Sequence, residues 1–228
     1  MVENKVRSGQ VYDQLKDFIL SQQIKPGERI PEAKLATQLG LSRTPIREAV
    51  KQLANDGIVT VYPNRFAEVA VLPENWLQEV GIVRLSLDIT AAHLAILYGS
   101  NYDYSVMEQL NEECHAATIS GDIATRIRKN CAFHLELSRM SRNAELYELQ
   151  KKLYLKIEFV QACNYSNVET DEEQYRQHKE MIKALYERNE KQLVSVLTLH
   201  IEKFHNLKSD PAINENLQAL FAAVPNLK

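Results

Sequence analysis

Three histidines lie on the apolar faces of three separate predicted helices of this 228-residue chain. Each shares its helical face with leucine or isoleucine, so each imidazole should point into the protein. Neutral imidazoles from different helices could meet around a divalent transition metal such as Zn or Ni. They are His134, on a helix predicted near residues 122–140, His178, on one near 170–188, and His200, on one near 190–207.

Asn130 lies four residues before His134 and therefore on the same helical face. Its carbonyl oxygen could supply a fourth, weaker metal ligand. The alternative for each histidine is a core residue satisfied by a single hydrogen bond, and the spacing alone leaves both interpretations open.

A second chemical feature is the run from Ser42 to Leu53, which predicts a helix suited to a DNA major groove. Ser42 is an N-cap residue type, and proline follows in the first turn, where its missing N–H does no harm. Apolar residues repeat along one face at Ile46, Ala49, Val50 and Leu53. The helix start and opposite face carry the side chains that could contact bases and phosphates, namely Arg43, Thr44, Arg47 and Lys51.

The flanking segments predict a winged helix-turn-helix. An apolar stripe from Val11 to Ile19 ends at Pro26-Gly27, and Pro31 opens a second helix. Gly40-Leu41 then forms the turn into the helix at Ser42. The elements after this helix are a β-type run over 58–61, a turn at Pro63-Asn64-Arg65 and a second run over 66–70, which predict a hairpin wing with Arg65 at its tip.

Composition and charge agree with such a protein. Residues 1–72 carry ten basic and eight acidic side chains, whereas the remainder carries seventeen and twenty-two, so a local basic face is compatible with the overall charge of −3. We expect no transmembrane helix and no signal peptide. The three cysteines fit neither a disulfide framework nor a zinc knuckle, and we expect a cytoplasmic protein with reduced thiols.

From about residue 74 the pattern becomes entirely helical, which predicts an antiparallel helical bundle. We therefore predict a mainly α protein with two domains, a winged helix-turn-helix over 1–72 and an all-helical domain over 73–228, joined at Val71-Leu72-Pro73. Helices are predicted near 74–98, 102–119, 122–140, 143–163, 170–188, 190–207 and 213–223.

Residues 9–70 resemble the winged-helix domain of GntR-type bacterial transcription factors, above all in the run from Ser42 to Ala49. The resemblance implies that Arg43, Thr44 and Arg47 contact DNA bases and phosphates. Two departures bear on DNA contact. Phe66 stands at the wing where many relatives have glycine, and Ala33 stands where some have an arginine that contacts DNA.

The second half resembles the FCD effector domain of the FadR subfamily, through Phe133-His134, Ser141-Arg142-Asn143, His178 and His200. This resemblance implies a divalent metal held by three histidines and an aspartate. The aspartate position is Asn130 here, which removes a negative charge and a hard oxygen ligand. Arg84 occupies a position that faces the effector pocket in this pattern. It could bind a carboxylate through two hydrogen bonds or form an ion pair with Asp88 one turn on.

Taken together, these features predict a homodimeric regulator whose recognition helices enter successive major grooves of double-stranded operator DNA. The resemblance to the family implies that it is a repressor. A small carboxylate effector in the metal-containing bundle would control it. The alternatives are a three-histidine metalloenzyme fused to a DNA-binding domain and a protein-interaction module. We expect the remaining histidines, His93, His115 and His205, to be ordinary surface or interface residues.

Overall fold

The computed structural model describes residues 2–163 and 169–207, so the helix predicted near 213–223 lies outside the described residues. The elements are α1 (Val2–Leu20), α2 (Glu32–Gln38), α3 (Arg43–Asn55), β1 (Val59–Tyr62), β2 (Phe66–Val69), α4 (Trp76–Tyr98), α5 (Asn101–Ser120), α6 (Ile123–Met140), α7 (Ala144–Cys163), α8 (Glu169–Tyr186) and α9 (Glu190–His205). The predicted mainly α architecture with a small hairpin is confirmed.

Elements α1 to β2 form the winged helix-turn-helix. Ser42 is the N-cap of α3, and the turn before it passes through Gly40 at a φ of +64°, a conformation that glycine adopts without strain. Strands β1 and β2 pair antiparallel, with Val59 opposite Val69. The four apolar residues predicted on one face of α3 are all buried, and they are Ile46, Ala49, Val50 and Leu53.

Helices α4 to α9 form the bundle, and helix-terminal residues mark where several of its helices start and stop. Ser100 and Asp103 form a reciprocal capping box at the start of α5, and Gly121 ends that helix at a φ of +74°. Helix α4 packs against α6, α7 and α9, while α8 packs against α5 and α9. This arrangement brings the inward faces of α4, α6, α8 and α9 toward one core.

Helix α4 is long and apolar enough to cross a membrane by length and composition, and it is the one such helix among those described. Half of its apolar window is buried inside the bundle, however, and Arg84 and Asp88 lie within it. Burial against its neighbours accounts for the apolar residues on the inner side of α4, such as Leu85, Ile89 and Ala92.

The winged helix-turn-helix contacts the bundle through α1. Lys16 Nζ pairs with Glu158 Oε2 of α7 at 2.9 Å, and Asp17 forms an ion pair with Arg128 of α6. Phe159 of α7 is fully buried in the apolar core of the winged helix-turn-helix. Helix α1 therefore touches both bundle helices and also packs against α3.

Candidate DNA-binding face and buried histidine site

Helix α3 presents its predicted basic face to solvent. The side chains of Arg43, Arg47 and Lys51 are 57%, 60% and 68% exposed, and Thr44 is also exposed. The apolar side of the same helix is held by α1, α2 and β1. A duplex could therefore reach these residues without any rearrangement of the helix.

An acidic residue at the start of α2 restrains two of the arginines. Glu32 Oε2 lies 3.1 Å from Nε of Arg47 and 3.6 Å from Nη2 of Arg43. Because Arg47 uses Nε for this ion pair, its two terminal nitrogens stay available for the paired acceptors of a guanine. Lys51 instead pairs with Glu48 on its own helix, at 3.0 Å.

The wing closes the other side of this face. Arg65 is exposed at the hairpin tip, next to Asn64 at a φ of +57°. The guanidinium of Arg29 lies 3.9 Å from the centre of the Phe66 ring, so Phe66 packs in a cation–π contact. A groove of about 840 Å³ runs between the wing and helices α2 and α3.

The three predicted ligand histidines meet inside the bundle. The ring centroids of His134, His178 and His200 form a nearly equilateral triangle, with separations of 5.0, 5.0 and 5.1 Å. One ring nitrogen from each lies within 4.8 Å of the others, and Nε2 of His134 is 3.2 Å from Nε2 of His200. All three side chains are buried.

Two of these rings are oriented by amides that are themselves fixed. Asn111 Nδ2 donates to the Tyr175 carbonyl oxygen, so Asn111 Oδ1 faces His178 and accepts from its Nδ1 at 2.9 Å. Gln177 Nε2 donates to the carboxylate of Glu173, so Gln177 Oε1 accepts from Nδ1 of His200 at 2.8 Å. In both rings the proton therefore sits on Nδ1, and Nε2 carries the lone pair.

Burial keeps the imidazoles neutral. Burial, with a smaller contribution from the nearby guanidinium of Arg84, lowers the pKa of His178 to about 3. Burial likewise holds the pKa values of His134 and His200 well below the ordinary range, with added repulsion from Arg84 and from neighbouring imidazoles. Neutral rings have the free lone pairs that metal binding requires.

Asn130, the predicted fourth ligand, is buried next to this cluster but already has a hydrogen-bond partner. Its Oδ1 accepts from Nε2 of Gln174 at 2.9 Å, and Gln174 Oε1 in turn accepts from Arg126 at 3.3 Å. The oxygen that could bind a metal is thus shared with an amide from α8.

Arg84 faces the same interior. Its Nε lies 3.3 Å from Asp88 Oδ2 and 3.3 Å from the Tyr154 hydroxyl oxygen, and the ion pair is almost fully buried. Burial raises the pKa of Asp88 to about 6, although Arg84 opposes the shift, so the carboxylate is still ionised at neutral pH. Arg84 Nη2 is buried and has no hydrogen-bond partner within the described ranges, which leaves it ready for an acceptor.

The expectation that His205 is an ordinary surface or interface residue is wrong. Its side chain is fully buried, Nδ1 donates to the Leu77 carbonyl oxygen at 2.7 Å, and Nε2 lies 3.4 Å from Nη1 of Arg84. The space for this ring exists because Gly81 of α4 has no side chain, and a Cβ there would overlap the imidazole.

Other residues of the site were not predicted, because each contacts a residue on a helix far away in the sequence. Tyr154 donates to Asp88 Oδ2 at 2.5 Å, and Gln150 donates to Oδ1 at 2.6 Å. Nothing in the spacing of Asn111 or Gln177 indicated that they orient histidines. The assembled site offers three neutral imidazoles, a buried guanidinium and a carboxylate, which suits a transition metal and an anionic ligand side by side.

A winged helix-turn-helix with exposed arginines on α3, joined to a helical bundle, is the architecture of a DNA-binding regulator. The chain belongs to the GntR family: residues 7–69 match bacterial regulatory proteins of the gntR family, and residues 79–203 match the FCD domain.

Individual relatives agree with this assignment. The chain is 32% identical over 181 residues to the HTH-type transcriptional regulator YdhC of Bacillus subtilis, which covers 79% of this chain and 81% of YdhC. It is 29% identical to the Nta operon transcriptional regulator of Aminobacter aminovorans, over 81% of this chain and 86% of that one. The structure of McbR/YncC from E. coli has the same fold, with a TM-score of 0.74 at 23% identity over 90% of this chain and 99% of that one.

These matches are all regulators, so the predictions of a DNA-binding transcriptional regulator and of a protein that is not an enzyme are confirmed. The metalloenzyme alternative is set aside.

Proposed function

We propose that this protein is a homodimeric, cytoplasmic repressor that binds a pseudo-palindromic operator through α3. Arg43 and Arg47 would read guanine edges, Thr44 and Lys51 would hold phosphates, and Arg65 of the wing would reach a phosphate or the minor groove. The exposed face of α3 and the groove beside the wing support this assignment.

The bundle would serve as the sensor domain, and the boundary between it and the DNA-binding domain would lie near residues 72 and 73. His134, His178 and His200 would hold a divalent transition metal, Zn or Ni, with Asn130 as a weaker oxygen ligand. Three neutral imidazoles suit such a metal, and the buried Nε2 of His178 has no partner among the described residues. The metal would supply a positive charge that attracts an anion.

Arg84 would bind the carboxylate of a small organic acid. Its unpartnered Nη2 supports this role, because a buried guanidinium nitrogen without an acceptor is costly until a ligand fills it. Asp88 also forms an ion pair with the same arginine. The two interpretations of Arg84, as ion-pair partner and as anion receptor, therefore describe two uses of one side chain.

The contacts of α1 would carry the signal. Helix α6 bears His134 and also Arg128, which pairs with Asp17 of α1. Helix α7 bears Tyr154 and also Glu158, which pairs with Lys16. A ligand that binds one arrangement of these helices more strongly would shift the DNA equilibrium.

The observation that carries the proposal is the pairing of an exposed arginine face with a buried, incompletely partnered histidine–arginine site in one chain. The test begins with elemental analysis and native mass spectrometry of the purified protein, which should show a transition metal near one equivalent per chain. Operator fragments are then selected from genomic DNA and titrated by fluorescence anisotropy. Binding that is independent of sequence, or a protein that takes up neither zinc nor nickel, would contradict the proposal.

A further inference from the structure

Asp88 approaches His134 as well as its ion-pair partner Arg84. Its Oδ2 is 3.9 Å from Nδ1 of His134, and both side chains are fully buried. Asp88 comes from α4 and His134 from α6, so the approach results from the packing of two helices.

The hydrogen bonds of the cluster assign a tautomer to His134. His200 carries its proton on Nδ1, where Gln177 accepts it, so Nε2 of His200 can only accept. The 3.2 Å contact between the two Nε2 atoms therefore requires the proton on Nε2 of His134. Nδ1 of His134 is then an acceptor, and it has no hydrogen-bond partner within the described part of the chain.

A metal held by the three Nε2 atoms would reverse this arrangement. The proton of His134 would then have to leave Nε2, and the ring would stay neutral by carrying a proton on Nδ1 instead. A ligand histidine nearly always donates that second N–H to a carboxylate, a carbonyl or water. His178 and His200 already have amide acceptors for it, whereas for His134 the near acceptor is Asp88.

We propose that Asp88 is a positioning residue of the metal site, which accepts the Nδ1–H of His134 when metal is bound, and this inference rests on the proposed metal-binding function. Asp88 Oδ2, the same oxygen, also accepts hydrogen bonds from Arg84 Nε and from the Tyr154 hydroxyl. The carboxylate therefore joins the metal ligand His134 to the anion receptor Arg84, which makes the two halves of the site one hydrogen-bonded unit.

The competing explanation is that Asp88 only neutralises Arg84. A single Asp88→Asn change cannot separate the two, because it leaves a buried guanidinium without its counter-ion. The pair R84Q and R84Q/D88N separates them, since the arginine charge is absent from both and two amides can hydrogen-bond to each other. The zinc affinity of the full-length proteins is measured by competition with a chromophoric chelator.

If Asp88 positions His134, R84Q/D88N should bind zinc about 10- to 100-fold more weakly than R84Q. If Asp88 only neutralises Arg84, the two variants should agree within about twofold, which overturns the inference. A wild-type protein that takes up no zinc overturns the metal-binding function and the inference together. Zinc uptake by the wild type with equal affinities for the two variants overturns the inference alone.

A second, spectroscopic test uses the wild-type protein and so does not depend on whether a variant folds. Long-range proton–nitrogen NMR with ¹⁵N-histidine should show the His134 proton on Nε2 in the metal-free protein and on Nδ1 after zinc is added. His178 and His200 should keep theirs on Nδ1 throughout. A zinc-loaded protein in which Nδ1 of His134 carries no proton overturns the inference.

Discussion

Glu32→Gln should reduce the ability of this protein to tell its operator from other DNA. Glu32 restrains Arg47 through Nε at 3.1 Å and Arg43 through Nη2 at 3.6 Å, so both arginines are held on the face of α3 that we propose meets the bases. Glutamine keeps the shape of the side chain but loses the charge that orients them. Each arginine would then have to be ordered by the DNA itself, at an entropic cost.

The size of the effect follows from exposure. Exposed ion pairs are worth about 0.2–1 kcal/mol each, and both arginine side chains are more than half exposed. The loss of two such restraints should weaken operator binding relative to nonspecific binding by about 2- to 30-fold. Nonspecific affinity should rise, because one negative charge near the phosphates is removed.

The assay is fluorescence anisotropy at a fixed salt concentration, with an operator duplex and a scrambled duplex of equal length. The matched control is Glu48→Gln, which removes the same charge from α3, where Glu48 pairs with Lys51. It should raise both affinities together and leave their ratio within about twofold of the wild type. If Glu32→Gln also leaves the ratio unchanged, Glu32 merely competes with DNA for the arginines, and the reasoning about restraint is refuted.

Three further predictions follow from the same structure. Arg47→Ala should cost about 1–3 kcal/mol of operator binding and relax the base preference at one position, which a footprinting titration with operator variants measures. Gly81→Ala should destabilise the protein by about 1–3 kcal/mol in urea unfolding, because the added methyl overlaps the His205 ring. The control is Gly9→Ala in α1, where the methyl meets no atom within 4 Å and should be neutral or stabilising. Acidification of the metal-free protein from pH 7.5 to 5.5 should lower the free energy of unfolding by about 1.4 kcal/mol for each buried imidazole. The pKa of His178, for example, falls to about 3 on folding. Over this pH interval only the unfolded state takes up the proton, so acid favours unfolding. A pH-independent urea midpoint over this interval would show that the histidines are not buried as neutral rings.

The sequence predicts features that depend on one helix at a time. The apolar face of α3 follows from a 3.6-residue period, and so do the inward directions of His134, His178 and His200. Turn and cap residues predict the helix ends well, so α4, predicted near 74–98, runs from Trp76 to Tyr98.

Features that depend on how two helices are aligned along their axes could not be predicted. Helical periodicity predicts which face of α4 carries Asp88. The approach of this carboxylate to His134 of α6 depends on how the two helices pack, which periodicity does not give. The same limit applies to Asn111 and Gln177, whose amides could equally have faced solvent. His205 was misassigned for this reason, because the pocket that receives it is made by Gly81 on another helix.

The position of α6 explains how a site buried in the bundle could influence a helix that reads DNA. Two turns before His134, Ile127 of α6 lies in one apolar cluster with Leu20 of α1, and the next residue, Arg128, pairs with Asp17 of α1. A buried helix with close-packed sides moves as a unit, since its side chains cannot be compressed individually. A ligand that shifts α6 through His134 would therefore also change the contacts of α1, whose Leu15 and Ile19 share the apolar core with α3. The regulatory effect is then limited by the difference in ligand affinity between the two positions of α6, and a ligand that binds both equally would leave DNA binding unchanged however tightly it binds.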